Sequence, residues 1–212
     1  MPSQTAQPAR LAGGNLDGSR HACAFFNSRD EEYRVLLPFA KEGVACGEKC
    51  FHVVDPSHRQ ERLDRLEDAG VDTKGTLETG QLEVRTWNDA YLRGEKFDQY
   101  AMLELIEETL KGSKSAGFPR TRLWANMEWA LEDLPGCDDI VEYESRLNPI
   151  LAKYDDVVVC TYDLSKFSAS VVMDILRTHP MVVIGETIQE NPFYVPAEKF
   201  LEELAERSSD NH

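Results

Sequence analysis

Short apolar runs alternate with amphipathic stretches along most of the chain, beginning with the run His-Ala-Cys-Ala-Phe-Phe at positions 21–26. Short apolar runs bounded by turn residues are typical of strands, whereas apolar residues at helical spacing are typical of helices that bury one face. The pattern predicts strands over 21–26, 49–55, 82–87, 121–128, 157–162 and 181–185. It predicts helices over 31–44, 57–69, 97–111, 140–154, 168–176 and 197–206.

The order of these elements predicts the fold class. Strands that alternate with helices form β-α-β units, in which parallel strands build one sheet. The run Val-Val-Val-Cys-Thr-Tyr at 157–162 is apolar on both faces, as expected for a strand covered by helices on both sides. We therefore expect an α/β fold of three layers, with helices on both faces of a mostly parallel sheet. Residues 20–206 are predicted to form a single domain, with a flexible leader over 1–19 and a polar tail over 207–212.

The chain is strongly acidic, with 38 Asp and Glu residues, 23 Lys and Arg residues and a net charge of −15. On average this charge repels nucleic acids and anionic membranes, so neither is expected as a direct partner. No run of residues has the length and apolar character of a membrane span or a secretory signal. The five cysteines are an odd number scattered through apolar segments, which favours reduced thiols. These features predict a cytoplasmic protein.

Polar residues lie where the predicted strands end, at the edge of a parallel sheet where ligands commonly bind. Ser28 and Glu31 have the spacing of a capping box, so a helix is expected to begin directly after the first strand. The candidate ligand-binding residues at this edge are Asn27, Ser28, Asp55, Asn126, Glu128, Tyr162 and Asp163.

A structural role competes with the ligand-binding role at several of these positions. Asn126 and Glu128 share one face of their strand, because successive side chains alternate. They could offer an amide and a carboxylate to one small ligand, or Asn126 could bond the next loop while Glu128 opens a helix. Asp55 and Asp163 each precede a turn, where Asp is common because it hydrogen-bonds the nearby backbone. Both roles stay open at this stage.

Two pairs of side chains have the chemistry of metal ligands. His21 and Cys23 lie two positions apart on the first strand, and Cys50 and His52 do so on the second. Each pair places an imidazole and a thiol on one face, and both groups suit zinc. Structural zinc sites usually take closely spaced cysteine pairs from loops, and a cysteine in an apolar strand is usually an inert small hydrophobic residue. The spacing therefore favours packing, and no obligatory cofactor is indicated.

Motifs for nucleotide hydrolysis and nucleophilic catalysis are missing. The loop after the first strand lacks the glycines of a phosphate-binding P-loop and carries Asp30 and Glu31 instead. The chain also lacks Gly-x-Ser-x-Gly, and no cysteine lies at an evident strand-to-helix elbow. The sequence therefore indicates a protein that is not an enzyme.

Seven short motifs follow one another in an order that matches a known family. They are His21-x-Cys23-x-Phe25-Phe26, Leu37-Pro38-Phe39 with Gly43 and Gly47-Glu48, Asn126-Met127-Glu128-Trp129-Ala130, Tyr143-Glu144-x2-Leu147-Asn148, Cys160-x-Tyr162-Asp163, His179-Pro180 and Asn191-Pro192-x-Tyr194. Together they resemble the MEDS domain, a methanogen/methylotroph sensory domain, over residues 20–205. The resemblance implies a RecA/KaiC-like core without a Walker A P-loop, and a role in sensing simple hydrocarbon derivatives.

The resemblance also implies a place for the candidate metal ligands. In a RecA-like strand order the fifth strand lies beside the first, which would bring Cys160 near His21 or Cys23. We therefore take His21, Cys23 and Cys160 as the candidate metal ligands. The family pattern points in addition to part of the carboxyl-edge set, namely Asn126, Glu128, Tyr162 and Asp163.

We expect a non-catalytic domain that binds a small molecule. Members of the family usually accompany an output domain, and no such module fits in this chain, so the signal would pass to a separate protein such as a kinase or a regulator. A homo-oligomer is also compatible with the sequence. One alternative is a residual nucleotide-handling enzyme in which Asp55, Glu128 or Asp163 holds Mg²⁺. Another is a pure interaction module with a vestigial site, whose acidic surface docks a basic partner.

Overall fold

A computed structural model describes residues 8–16 and 20–210 of the chain. The strands in these ranges are β1 (Ala9–Leu11), β2 (Gly14–Leu16), β3 (His21–Phe26), β4 (Lys49–Val54), β5 (Leu82–Thr86), β6 (Thr121–Asn126), β7 (Val157–Asp163), β8 (Met181–Ile184) and β9 (Thr187–Glu190). The α-helices are α1 (Arg29–Ala45), α2 (Arg59–Asp68), α3 (Thr73–Glu78), α4 (Gln99–Ser115), α5 (Ile140–Leu151), α6 (Ala169–Thr178) and α7 (Ala197–Asp210).

A seven-stranded sheet with the order β5-β4-β6-β7-β3-β8-β9 forms the centre of the described fold. Neighbouring strands are parallel except for β8 and β9, which pair antiparallel. The predicted α/β class with a mostly parallel sheet is therefore confirmed. The expectation that the fifth predicted strand lies beside the first is also confirmed, because every residue of β3 pairs with a residue of β7.

Helices cover both faces of this sheet, as predicted. On one face, Cys23 and Phe25 of β3 pack in a core with residues of α4, α5 and α6. On the other face, Ala22 and Ala24 pack with α1 and α2. The alternation follows from strand geometry, in which successive side chains point to opposite faces. The three-layer arrangement encloses two apolar cores, one on each side of the sheet.

Part of the predicted flexible leader is an ordered hairpin. β1 and β2 pair antiparallel through a tight turn at Ala12 and Gly13, both of which have positive φ. Leu11 and Leu16 are each 2% exposed because they pack in the core beside α1. The prediction of a flexible leader is wrong for this segment, because its few apolar side chains are buried by packing against the core beside α1. Positions 1–7 and 17–19 of the predicted leader lie outside the described residues.

The other differences concern elements with weak local signals. β9 is largely exposed and α3 is only 6 residues long, so neither carries the apolar periodicity used for prediction. The last helix continues to Asp210, which shortens the predicted polar tail, and positions 211–212 lie outside the described residues. Within the described ranges, we find no helix with both the length and the apolar character needed to cross a bilayer.

Candidate functional site

Four side chains converge on the face of the sheet that α4, α5 and α6 cover. His21 begins β3, and Cys160 lies on the neighbouring β7 opposite Cys23. Glu144 comes from α5, and His179 directly follows α6. Each of the four is at most 2% exposed. We refer to His21, Glu144, Cys160 and His179 as the buried cluster.

The atoms of the buried cluster that could bind a metal ion lie within 4.8 Å of one another. Oε2 of Glu144 is 3.2 Å from Nε2 of His21 and 3.4 Å from Nε2 of His179. Sγ of Cys160 is 3.6 Å from Nε2 of His21 and 3.7 Å from Oε2 of Glu144. In the part of the chain that the structure describes, this is the single group of His, Cys and acidic side chains with such spacing.

The hydrogen-bond network assigns the tautomer of His21. Nδ1 of His21 lies 3.1 Å from Oδ1 of Asn148. The Asn148 amide group donates to the carbonyl oxygens of Thr178 and Glu144, at 2.7 and 3.2 Å, so its Oδ1 is free to accept. Nδ1 of His21 therefore carries the proton. The lone pair of Nε2 then points into the buried cluster.

His179 is oriented in the same way by a different partner. Its Nδ1 lies 2.9 Å from the carbonyl oxygen of Ile175, which only accepts, so Nδ1 carries a proton. The Thr178 hydroxyl is also 2.9 Å from this nitrogen and donates to the same carbonyl at 2.8 Å. Nε2 of His179 faces Glu144 but has no hydrogen-bond partner of suitable geometry and is fully buried. Both imidazoles thus aim Nε2 at the same carboxylate oxygen.

The environment sets the charges in the buried cluster. Burial raises the pKa of Glu144, but His179 and His21 lower it by more when a proton on Nε2 gives the ring a positive charge and a donor to Oε2. A positive charge next to Oε2 therefore favours the ionised carboxylate. Burial lowers the pKa of His21 and raises the pKa of Cys160 well above its usual value. Without a metal, His21 is neutral and Cys160 is a thiol.

A pocket of about 210 Å³ opens beside the buried cluster. His21 and Asn148 form its polar floor, and its walls combine apolar and aromatic groups with one arginine. The remaining lining residues are Arg20, Leu151, Ala152, Tyr154, Pro180 and Tyr194. The pocket lies at the start of β3, at the opposite end of the strand from the predicted ligand edge.

At the carboxyl edge, the predicted residues of the first loop are engaged in local hydrogen bonds. Ser28 caps α1, since its Oγ accepts from the Glu31 amide at 3.3 Å, as the capping box predicts. The Glu31 carboxylate accepts from the Asn27 amide at 2.8 Å, one residue before the position expected in a capping box. Asn27 and Ser28 therefore shape the start of α1.

The predicted aspartates take the structural role that the sequence left open. Oδ1 of Asp55 accepts from the backbone amide and the hydroxyl of Ser57, both at 2.7 Å. Oδ1 of Asp163 accepts from the same groups of Ser165 at 2.8 and 2.6 Å. Asp55 and Asp163 thus each form a turn through the typical Asx hydrogen bonds.

Asn126 and Glu128 come together at the end of β6. Oδ1 of Asn126 accepts from the Glu128 amide at 3.2 Å, and the Glu128 carboxylate pairs with Lys166. Both residues are 8% exposed. Glu128 also begins a single 3₁₀ turn, so the competing structural reading describes both residues well.

Tyr162 does not face the predicted ligand edge, and Cys23 does not join the buried cluster. Tyr162 points away from the edge, and its hydroxyl donates to Oε1 of Glu144 at 2.7 Å. Cys23 shares the face of the buried cluster, but its thiol donates to the Met181 carbonyl at 3.7 Å and is not part of the group within 4.8 Å. Of the three candidate metal ligands, the structure thus brings His21 and Cys160 together.

Sequence reasoning missed two members of the buried cluster. Glu144 and His179 both occur in the motifs that resemble the MEDS domain, but nothing local gave them a role. The other sequence pair, Cys50 and His52, lies on β4 outside the cluster. There Cys50 packs in the core beside α1, and His52 packs against the ring of Trp124 with centroids 5.1 Å apart.

An internal ion pair occupies the region where a P-loop would present backbone amides to phosphate. Glu32, in the first turn of α1, is 6% exposed and accepts from Trp124 at 2.7 Å and from Thr161 at 3.0 Å. Its partner Arg62 lies 3.3 Å away and stacks over the Trp124 ring. The first turn of α1 therefore carries an internal ion pair, and the loop before it lacks the P-loop motif.

Comparison with known proteins finds one relative by sequence and one solved structure of similar fold. The transcriptional repressor DcmR of Methylorubrum extorquens is 25% identical over 177 residues, which are 83% of this chain and 64% of that protein. The chain therefore spans less than two thirds of the relative's length. The flagellar accessory protein FlaH from Methanocaldococcus jannaschii is similar in structure, with a TM-score of 0.55 and 15% identity over 84% of this chain and 78% of that one. At this identity the likeness concerns the fold.

A family model decides the classification. The model described as MEDS, methanogen/methylotroph, DcmR sensory domain, matches residues 20–180, which include β3 to α6 and every member of the buried cluster. The chain therefore belongs to the MEDS family of sensory domains.

Proposed function

We propose that this chain is a non-catalytic sensory domain that binds a small organic molecule in the pocket beside the buried cluster and passes its state to a separate regulatory protein. Membership of a sensory family and similarity to a transcriptional repressor support a regulatory role. The pocket beside His21 and Asn148 is the observation that carries the proposal, because it joins a small open cavity to a network of polar groups.

The chemistry of the pocket indicates its ligand. Leu151, Ala152 and Pro180 supply apolar surface, while Asn148 and Arg20 supply polar groups. A volume of about 210 Å³ is smaller than the roughly 300 Å³ at the lower end of drug-sized pockets, so the ligand is a small molecule. A short apolar molecule with one hydrogen-bonding group, such as a simple hydrocarbon derivative, fits these features.

The position of the pocket offers a route for the signal. Asn148 and Leu151 belong to the last turns of α5, and Tyr194 lies in the segment just before α7. α5 also packs against α7. A ligand that contacts both elements would favour one packing of α7 on α5, and a partner protein that binds α7 would respond to that change.

We propose that the partner is a protein, because the chain is strongly acidic. A net charge of −15 disfavours direct contact with DNA, although the related repressor is a transcriptional regulator. We therefore propose a cytoplasmic partner such as a kinase or a DNA-binding regulator. The carboxyl-edge residues Asn27, Ser28, Asp55, Asn126, Glu128 and Asp163 remain predicted ligand contacts, with internal partners in this structure.

Thermal unfolding in the presence of short-chain alcohols, aldehydes and halogenated alkanes tests ligand binding. A ligand at 100 times its dissociation constant stabilises the folded state by about 2.7 kcal/mol, which is readily measured. Ala152→Trp would fill the pocket mouth and abolish the stabilisation. Ala116→Trp is the matched control, because Ala116 is the exposed C-cap of α4 as Ala152 is of α5.

The screen separates the proposal from its rivals. Stabilisation of wild type and Ala116→Trp, with none for Ala152→Trp, supports the pocket. No stabilisation by any compound contradicts it. Magnesium-dependent binding of a nucleotide that is lost in Glu128→Gln would instead favour the enzyme alternative, and salt-sensitive capture of a basic partner without any ligand effect would favour the interaction module.

A further inference from the structure

We propose that the buried cluster is a binding site for one divalent transition-metal ion, Zn²⁺ in the first instance, held by Nε2 of His21, Oε2 of Glu144, Sγ of Cys160 and Nε2 of His179. The site goes beyond the proposed sensory role, because a metal can be measured without knowledge of any organic ligand. It also differs from the site expected from sequence, since Glu144 and His179 take the place of Cys23.

The distances between the ligand atoms match the edges of a zinc tetrahedron. Bond lengths of about 2.0 to 2.2 Å to nitrogen and oxygen and about 2.3 Å to sulfur give edges of about 3.3 Å between N and O, and about 3.6 Å to S. The two distances from Glu144 to the imidazoles are 3.2 and 3.4 Å. The two distances from the Cys160 sulfur are 3.6 and 3.7 Å. Four of the six edges therefore agree with a tetrahedral ion, and the two others, from Nε2 of His179 to Nε2 of His21 and to Sγ of Cys160, are no longer than 4.8 Å.

Both imidazoles are oriented as metal ligands usually are. Metal-bound histidines generally donate the other ring N–H to an oxygen atom, which fixes the ring. Here His21 donates to Asn148 and His179 to the Ile175 carbonyl. The lone pair of each Nε2 then faces a carboxylate oxygen, which is unfavourable for neutral rings. A cation between these atoms removes that repulsion, and it also gives the buried Nε2 of His179 a partner.

A divalent ion would also balance the charge of the site. Glu144 is 0% exposed, and a carboxylate buried without a compensating charge is costly. Binding of M²⁺ would release the Cys160 proton to solvent, because thiolate is the form that binds metal. One dication, one thiolate and one carboxylate then sum to zero. A neutral metal centre suits the apolar core that surrounds it.

The donor set selects the class of metal. Thiolate and imidazole suit zinc, iron and copper, whereas Mg²⁺ and Ca²⁺ prefer oxygen ligands. Four protein donors complete a tetrahedron and leave no position for a substrate, as in structural zinc sites. The ion would tie β3 and β7 to α5 and to the end of α6. It would thereby hold in place the His21 and Asn148 floor of the pocket.

Elemental analysis and native mass spectrometry of the full chain, purified without added metal, test the site. We expect about one zinc or other first-row transition-metal ion per chain. Cys160→Ser and His179→Gln should each lower affinity by more than the roughly 10- to 100-fold loss typical of residues that only support a ligand. Cys23→Ser and His52→Gln are matched controls that alter a buried thiol and a buried imidazole outside the cluster, and they should retain the metal.

A second measurement covers the case in which a ligand variant fails to fold. The wild-type chain, stripped with a chelator, is titrated with Co²⁺, whose visible spectrum reports tetrahedral geometry and whose near-ultraviolet band reports a thiolate ligand. We expect both signals at one equivalent in wild type and Cys23→Ser. Absence of metal from the purified chain together with absence of these signals would overturn the site, as would full metal retention in folded Cys160→Ser and His179→Gln. Loss of the pocket's ligand response with metal intact would fault only the sensory proposal.

Discussion

The hydroxyl of Tyr162 donates a hydrogen bond of 2.7 Å to Oε1 of Glu144. The other oxygen of the same carboxylate faces His21 and His179, at 3.2 and 3.4 Å. Tyr162 therefore occupies one side of the carboxylate and leaves Oε2 to the buried cluster. A residue expected at the ligand edge is instead the partner that orients the central acid of a buried site.

Replacement of Tyr162 by Phe should destabilise the protein, because the ionised Glu144 loses a buried donor. Hydrogen bonds to charged groups contribute about 1.5–3 kcal/mol, so we expect a loss of that size in the free energy of unfolding. Urea denaturation in the presence of a chelator measures it without a contribution from bound metal. Tyr100→Phe is the control, since Tyr100 is 59% exposed and should change stability by less than about 0.5 kcal/mol. Equal stabilities of the two variants would contradict the role of Tyr162.

Asn148→Leu should weaken metal binding although Asn148 is not a ligand. Its Oδ1 accepts from Nδ1 of His21, so the substitution frees the ring to rotate. Loss of such a supporting group typically costs about 10- to 100-fold in metal affinity. Competition with a chromophoric chelator measures the Zn²⁺ affinity of the stripped protein. Asn15→Leu makes the same side-chain change at an exposed position of β2 and should keep the wild-type affinity. An unchanged affinity in Asn148→Leu would show that this hydrogen bond does not orient His21 for the metal.

Leu11→Ala tests the amino-terminal hairpin. Leu11 is 2% exposed in the core beside α1, and removal of a buried Leu side chain costs about 2–5 kcal/mol. A flexible leader would give no change, so chemical denaturation distinguishes the two cases. Asn15→Ala, at an exposed position on the same hairpin, should leave the unfolding free energy nearly unchanged.

Glu83→Gln should reduce the dependence of stability on acid pH. Burial raises the pKa of Glu83, but hydrogen bonds from Lys49 and Arg85 and their charges outweigh it and lower the pKa below the ordinary 4.5. A carboxylate with a lowered pKa in the folded state contributes stability above its unfolded pKa and loses it as pH falls through the folded value. Because the ion pairs are partly exposed, the contribution is at most about 1 kcal/mol.

Urea unfolding at a series of pH values from neutral to acid measures this effect. Below pH 4.5, the ordinary pKa of a glutamate, the unfolding free energy of Glu83→Gln should fall less steeply with decreasing pH than that of wild type. Glu104→Gln, on the exposed side of α4, serves as the control and should follow the wild-type curve. Parallel curves for wild type and Glu83→Gln would exclude the stabilising role of the two cations.

Much of the fold could be read from the sequence because the signals are local. The alternation of apolar strands with amphipathic helices predicted the sheet and its two helical layers. Ser28 caps α1, and Asp55 and Asp163 form turns, as interactions within a few residues predict. β9 was not predicted because it is largely exposed. The hairpin of β1 and β2 was not predicted because its few apolar side chains are buried only by contact with a neighbouring surface.

The composition of the candidate site was decided by tertiary structure. The sequence alone placed His21 and Cys23 on one face of a strand, and the family resemblance placed Cys160 beside them. Neither the sequence nor the resemblance determines how far along its strand each side chain lies. They also do not determine which residues of α5 and α6 face His21 and Cys160. The pairing of β3 with β7 and the docking of these helices bring Glu144 and His179 to His21 and Cys160, and leave Cys23 against the Met181 carbonyl. Such convergence depends on packing between segments distant in the chain, which local patterns do not encode.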